Sequence, residues 1–165
     1  MNRISFDTYF LELAKAASLR ADCTRSHVGA ILVNEQRRVV STGYNGVAPG
    51  APGCLEGACP RGRLSYDERP STSDYSDCIS THAERNCLLY TPVESRAGTT
   101  MYVTRRPCVH CKQLLFHEGV SQVVWLSENG VVCHEPLQGA SLRGVAVKQF
   151  SGVTVRVINP LEKSG

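Results

Sequence analysis

His82-Ala83-Glu84 and, downstream, Pro107-Cys108-Val109-His110-Cys111 decide how this chain is read. The two stretches offer one imidazole, one carboxylate and two thiols. Zinc takes four protein ligands in a structural site, and three plus a water in a catalytic one. His82, Cys108 and Cys111 make three. The fourth position is left to water, and Glu84 stands beside the metal without being a ligand. Cys108 and Cys111 are three apart and share one face of a helix. At a helix N-terminus the dipole favours thiolates, and Pro107 suits such a start. His82 and Glu84 are two apart and would point about 200° from each other in mid-helix. They can serve one site only at a helix start, where Thr81 is the candidate cap. Alone, C-x-x-C could be a redox pair or half of a zinc knuckle, and H-x-E could open any surface helix. Together, with a strand-like stretch at 100–104 leading into the cysteines, they predict a catalytic zinc site.

The rest of the chain is consistent with a globular enzyme. Its 165 residues, 42% hydrophobic and 20% charged, suffice for one domain with a full core over 1–165. No apolar run reaches membrane-spanning length. The first ten residues lack a signal-peptide core, which predicts a cytoplasmic location. Eight cysteines in a reducing compartment read as metal ligands or buried thiols rather than disulfides. A net charge of +3 is too small to argue for nucleic acid. The basic residues are 14 Arg against 4 Lys, and Arg suits bidentate phosphate recognition.

Periodicity predicts a helix over 5–19 with an apolar stripe of Phe6, Tyr9, Phe10, Leu13 and Ala17. Strands follow at 28–33 and 38–44, joined by a hairpin turn. An irregular Gly/Pro/Ser-rich insert covers about 47–78, and a loop of that length needs a functional or metal-based reason. Then come a helix at 81–90, a strand at 99–103, a helix at 108–118 and a strand at 121–125. A weak helix at 136–142 and short strands at 145–150 and 153–158 close the chain. The alternation predicts an α/β fold with helices packed on a mixed sheet.

Four segments carry a family resemblance: 20–30, Gly43-Tyr44-Asn45-Gly46, 78–86 and 102–111. The H-x-E and P-C-x-x-C motifs resemble those of the cytidine deaminase superfamily. The Gly-Tyr-Asn-Gly turn and the long insert resemble the deoxycytidylate (dCMP) deaminase family within it. The resemblance implies a three-layer α-β-α cytidine deaminase-like fold with a central mixed five-stranded sheet. It implies zinc-dependent hydrolysis of dCMP to dUMP and ammonia, with Glu84 as the proton carrier. The backbone N–H of Ala83 would bind the pyrimidine O2, and Asn45 the sugar, although Asn-Gly is also a common turn pair. Val28 would line the base pocket or simply be a core valine. Arg25, Arg106 and the neighbouring Arg105 are candidates for the 5′-phosphate or an allosteric nucleotide. Cys23, Cys54, Cys59 and Cys78 would hold a second, structural Zn2+, whereas Cys87 and Cys133 read as core thiols.

A homo-oligomer, hexamer or dimer, is implied as well. So is regulation by dCTP with Mg2+ and by dTTP, near the Gly-Tyr-Asn-Gly turn and Arg61, Arg63 and Arg69. Arg105-Arg106 departs from the family pattern and leaves the exact cytosine substrate open. The rivals are a deaminase of another cytosine nucleotide or of a nucleic-acid base, and a non-catalytic zinc-binding regulatory module. Glu84 argues against the last, because a structural zinc has no use for that carboxylate.

Overall fold

Strand runs and helix stripes assemble into one mixed sheet covered on both faces. The computed structural model describes residues 2–68 and 78–137, together with the strand backbones of 148–150 and 153–157. In chain order the elements are α1 (Phe6–Ser18), β1 (Gly29–Val33), β2 (Val39–Tyr44), the short α2 (Pro60–Arg63), α3 (Ala83–Leu89), β3 (Thr100–Val103), α4 (Val109–His117), β4 (Gln122–Leu126), β5 (Val132–Pro136), β6 (Lys148–Phe150) and β7 (Val153–Val157). The sheet runs β2-β1-β3-β4-β5-β7-β6. β1 lies antiparallel to β2 and β3, β3 parallel to β4, and β4 antiparallel to β5. These five strands are the expected central mixed sheet. β7, parallel to β5, and β6, antiparallel to β7, extend it to seven.

β5 ends at Pro136, where the weak helix expected at 136–142 was to begin. Most of that stretch, residues 138–142, lies outside the described residues. A strand was hard to see there because His134 and Glu135 interrupt the apolar run. Each is matched by a distant partner. His134 Nε2 lies 3.1 Å from Asp7 Oδ2, and Lys112 Nζ donates to Glu135 Oε1 at 2.9 Å.

β1 is apolar throughout because both its faces are covered. Ile31 and Val33 pack with Phe10, Leu11 and Ala14 of α1, and with Tyr102, Val124 and Val132. Ala30 and Leu32 face the other way, toward Ala83, Cys87 and Leu88 of α3 and Leu115 of α4. α1 is capped as its sequence suggests, the Ser5 hydroxyl accepting from Thr8 N–H at 3.1 Å. Its buried face is turned in part from the expected stripe: Leu13 and Ala17 of that stripe do pack against the core. Phe10, Leu11 and Ala14 are buried, whereas Phe6 and Tyr9 remain 48% and 45% exposed. The Arg37 guanidinium covers the Phe6 ring at 4.2 Å. Asp7 fixes the helix to the sheet, its Oδ1 accepting from Tyr102 Oη at 2.9 Å. Burial works against the Asp7 charge, yet the bonds from His134 and Tyr102 and the nearby Arg37 hold its carboxyl below the usual range.

Two glycines let helices touch strand backbone. A Cβ on Gly29 would sit 1.9 Å from the Ala14 carbonyl oxygen of α1. A Cβ on Gly43 would sit 2.3 Å from the Ala83 carbonyl oxygen and 2.5 Å from the Cys87 nitrogen of α3. No helix among the described residues is long and apolar enough to cross a membrane.

Candidate active site

α3 and α4 both begin at a candidate metal ligand. His82 is the extended residue before α3 (φ −64°, ψ 152°), and Cys108 the extended residue before α4 (φ −68°, ψ 165°). This resolves the angular problem posed by His-x-Glu, because His82 stands outside the helix and Glu84 in its first turn. Thr81 is not the cap. His82 holds that position without a side-chain capping bond, and its imidazole faces the sulfurs instead. Thr81 pairs by its backbone with Gly46, with N–H to carbonyl distances of 2.8 and 3.1 Å. Cys108 caps α4 with its own sulfur, which accepts the Cys111 N–H at 3.4 Å.

His82 Nδ1 lies 3.6 Å from Cys108 Sγ and 3.4 Å from Cys111 Sγ. Metal–ligand bonds of ~2.0–2.3 Å at tetrahedral angles place such atoms about 3.6 Å apart. The donor set therefore fits zinc. Among the described residues it is the one group of three such side chains whose donor atoms all lie within 4.8 Å of one another.

Electrostatics support the fit. Burial pushes the Cys111 thiol up, and the Glu84 carboxylate and Cys108 sulfur push it further. Burial also raises Glu84, only 4% exposed, against the opposing pull of its own N–H, the Cys111 side chain, Arg85 and Arg105. A divalent cation relieves such crowding of acidic groups. Burial, and then the charges of Arg85, Arg105 and His110, hold His82 below the ordinary imidazole range. The neutral ring is the form that ligates.

The other expected residues surround this centre unequally. Ala83, fully buried, opens α3, and its first-turn N–H has no acceptor within the helix. Val28 packs against the core on the α3 side. Asn45 is buried, its Oδ1 accepting from Val28 N–H at 2.7 Å and its Nδ2 donating to the Ser26 carbonyl at 2.9 Å. Arg25 Nη2 donates to the carbonyls of Arg61, at 2.9 Å, and of Leu64. Arg106 is exposed and lies 5.8 Å from the Trp125 ring centroid. Arg61 is buried, Arg63 is exposed and donates to the Gly57 carbonyl, and Arg69 lies outside the described residues. Cys87 and Cys133 are buried as expected, and burial pushes Cys87 up to about 11.

Cys23, Cys54, Cys59 and Cys78 all line one cavity of ≈ 210 Å³, although no three of their sulfurs meet the spacing of the His82 group. Backbone N–H groups turn onto all four, that of Ser80 onto Cys78. Cys23 accepts from Arg25 and Ser26, and Cys54 from Thr24, each at 3.4 Å. Burial opposes the Cys59 thiolate, but the N–H groups of Ile79, Gly62 and Arg61 and the Cys78 side chain hold Cys59 below the usual thiol range.

Sequence reasoning did not single out Arg85 or His110, whose charges reach His82. Their one signal was adjacency to the two motifs. Ser26, which accepts from Arg105 Nη1 at 2.8 Å, gave no signal at all.

Two helix starts whose His and Cys donors fit zinc, beside one buried Glu on a mixed sheet, are the arrangement of a zinc-dependent deaminase site. Residues 4–127 match the family described as the cytidine and deoxycytidylate deaminase zinc-binding region, and the chain belongs to that family. It is 48% identical over 133 residues to the deoxycytidylate deaminase of Mycobacterium phage D29, covering 78% of this chain and 100% of that one. It is 35% identical over 151 residues to the deoxycytidylate deaminase of Saccharomyces cerevisiae, covering 90% of this chain but 46% of the yeast protein. The dCMP deaminase of cyanophage S-TIM5, solved with dCMP and dUMP, shares the fold, with a TM-score of 0.58 at 24% identity over 77% of this chain and 85% of that one.

Proposed function

We propose that this chain is a zinc-dependent hydrolase that converts dCMP to dUMP and ammonia. The observation that carries the reading is the three-donor set of His82, Cys108 and Cys111 beside the buried Glu84. Zinc held there would lower the pKa of a bound water toward ~7 and so supply a nucleophile at neutral pH. Glu84 takes a proton from the water and delivers it to N3 of the pyrimidine, which makes C4 electrophilic. A C4–O bond forms, Glu84 then moves the second water proton from the C4 hydroxyl to the amino group, and the C4–N bond breaks to leave a C4 carbonyl and ammonia. Burial raises its proton affinity, which suits a group that must hold and release a proton near neutral pH. The Ala83 N–H binds O2 of the ring, Val28 borders the base, and Asn45 holds the loop around the sugar. Arginines of the 25 and 105–106 segments receive the phosphate. The relatives named for deoxycytidylate favour dCMP over other cytosine compounds.

Further parts of the reading rest on the family. The insert cysteines hold a second Zn2+, supported by their shared cavity and the N–H groups turned onto them. The chain is one catalytic domain and works as a cytoplasmic homo-oligomer. dCTP with Mg2+, and dTTP, regulate it through the Gly43–Gly46 turn and the insert. Ammonia release assayed with dCMP, dCTP, deoxycytidine and CMP, beside the zinc content per chain, tests the reading. Preference for dCMP is expected, and preference for any other of the four would replace the substrate.

A further inference from the structure

We propose that Arg105, more than Arg25 or Arg106, carries the contact with the 5′-phosphate and makes this site select a nucleotide over a nucleoside; the inference rests on the deaminase reading above. The fold has disposed of the three arginines differently. Arg25 Nη2 is engaged by the carbonyls of Arg61 and Leu64, which ties the loop after Cys23 to α2. Arg106 lies against Trp125. Arg105 is exposed, and among the described residues its side chain makes a single hydrogen bond, to Ser26 Oγ. A guanidinium has five donors in a planar fork, so four remain for an anion.

The surroundings of Arg105 are built to receive that anion. It borders, with Ser26, Arg25 and Ser80, the cavity that the four insert cysteines also line. Arg25 Nε and Ser80 Oγ are buried and make no hydrogen bond among the described residues. Buried polar atoms are rarely left so, and a phosphate oxygen would satisfy both. Ser80 is two residues before His82, and Arg105 three before Cys108, so this end of the cavity is joined to both metal-bearing helix starts. The anchor of Arg105 is itself fixed. The Ser26 carbonyl accepts from Asn45 Nδ2, and the Ser26 N–H donates to Cys23 Sγ. Asn45 is thereby a positioning residue for Arg105, through Ser26.

The test is the ratio of kcat/KM for dCMP to that for deoxycytidine, which lacks the phosphate, with inorganic phosphate as a competitive inhibitor. Losing a charged, multiply bonded contact is expected to lower that ratio roughly 10–100-fold in Arg105→Ala and to weaken phosphate inhibition alike. Arg105→Gln keeps a donor for Ser26 but not the charge, and is expected to lose the ratio as alanine does. Arg105→Lys keeps the charge without the fork and should recover part of it. A ratio and a phosphate Ki unchanged in both the alanine and glutamine variants would overturn the inference. So would a larger fall of the ratio in Arg25→Ala or Arg106→Ala. Wild-type protein that deaminates neither compound would overturn the deaminase reading and this inference together.

Discussion

The seven cysteine and histidine side chains assigned to metal fall into two groups of different construction. His82, Cys108 and Cys111 stand at the first turns of two helices that are packed on a sheet, and their donor atoms converge within 4.8 Å. Cys23, Cys54 and Cys78 stand on loops and Cys59 just before the short α2; they share a cavity and gather backbone N–H groups, but do not converge as tightly. Helix starts are positioned by the core, whatever occupies the site. Cys54 and Cys59 are buried as well, but they sit in a turn and before the four-residue α2 rather than on helices packed against the sheet, and depend more on what they bind. The first group is a pre-formed centre and the second a clasp.

Cys111→Ser attacks the pre-formed centre at a fully buried donor and should give the largest effect. One zinc per chain and all measurable ammonia release are expected to disappear together while the fold, followed by circular dichroism, remains. Unchanged zinc content would remove Cys111 from the donor set. Glu84→Gln should come next, with turnover of dCMP falling roughly 10²–10⁴-fold at wild-type zinc content. Residual activity within tenfold of wild type would mean that another group carries the proton.

The clasp predicts a different pattern. Cys59→Ala leaves the N–H groups of Ile79, Gly62 and Arg61 without their sulfur acceptor, and a loss of about 1–3 kcal/mol is expected in urea unfolding. Zinc at the His82 centre should stay. If the second metal is held as proposed, elemental analysis will show one zinc fewer per chain. A variant that loses the His82 zinc as well would erase the distinction between the two groups.

The smallest effect lies on the far side of the sheet. The Asp7 carboxyl is held below its ordinary value in the fold, so its stabilisation is present above about pH 4 and is lost as pH falls through the folded value. Asp7→Asn should cost about 1 kcal/mol at neutral pH, with the wild-type and variant stabilities converging in acid. A difference that stays constant down to pH 2 would assign the loss to packing.

The sequence carried the catalytic centre because each half of it is local. His82 with Glu84, and Cys108 with Cys111, are close in the chain, and a helix start orients each pair without help from afar. The same locality made β1, β2, β3 and β4 readable from apolar runs. β5 was hidden because the partners that let His134 and Glu135 sit in a strand are Asp7 and Lys112, more than twenty residues away. The face of α1 was misplaced for a related reason. Leu11 and Ala14 were passed over for Phe6 and Tyr9, although it is the backbone contact at Gly29 that decides which side of the helix meets the sheet. Thr81 looked like a cap by residue type, but the metal ligand itself occupies that position.

Gly43 has a further consequence for how this chain can vary. α3 starts just after His82 and carries Glu84 on its first turn, and at Gly43 it rests directly on strand backbone, with no side chain between. A single added methyl at this position would act as a wedge under the helix. Substitutions on the outer surface of α3 are cushioned by solvent, whereas position 43 has no slack. A saturation library at residue 43, screened for ammonia release, should return glycine almost alone.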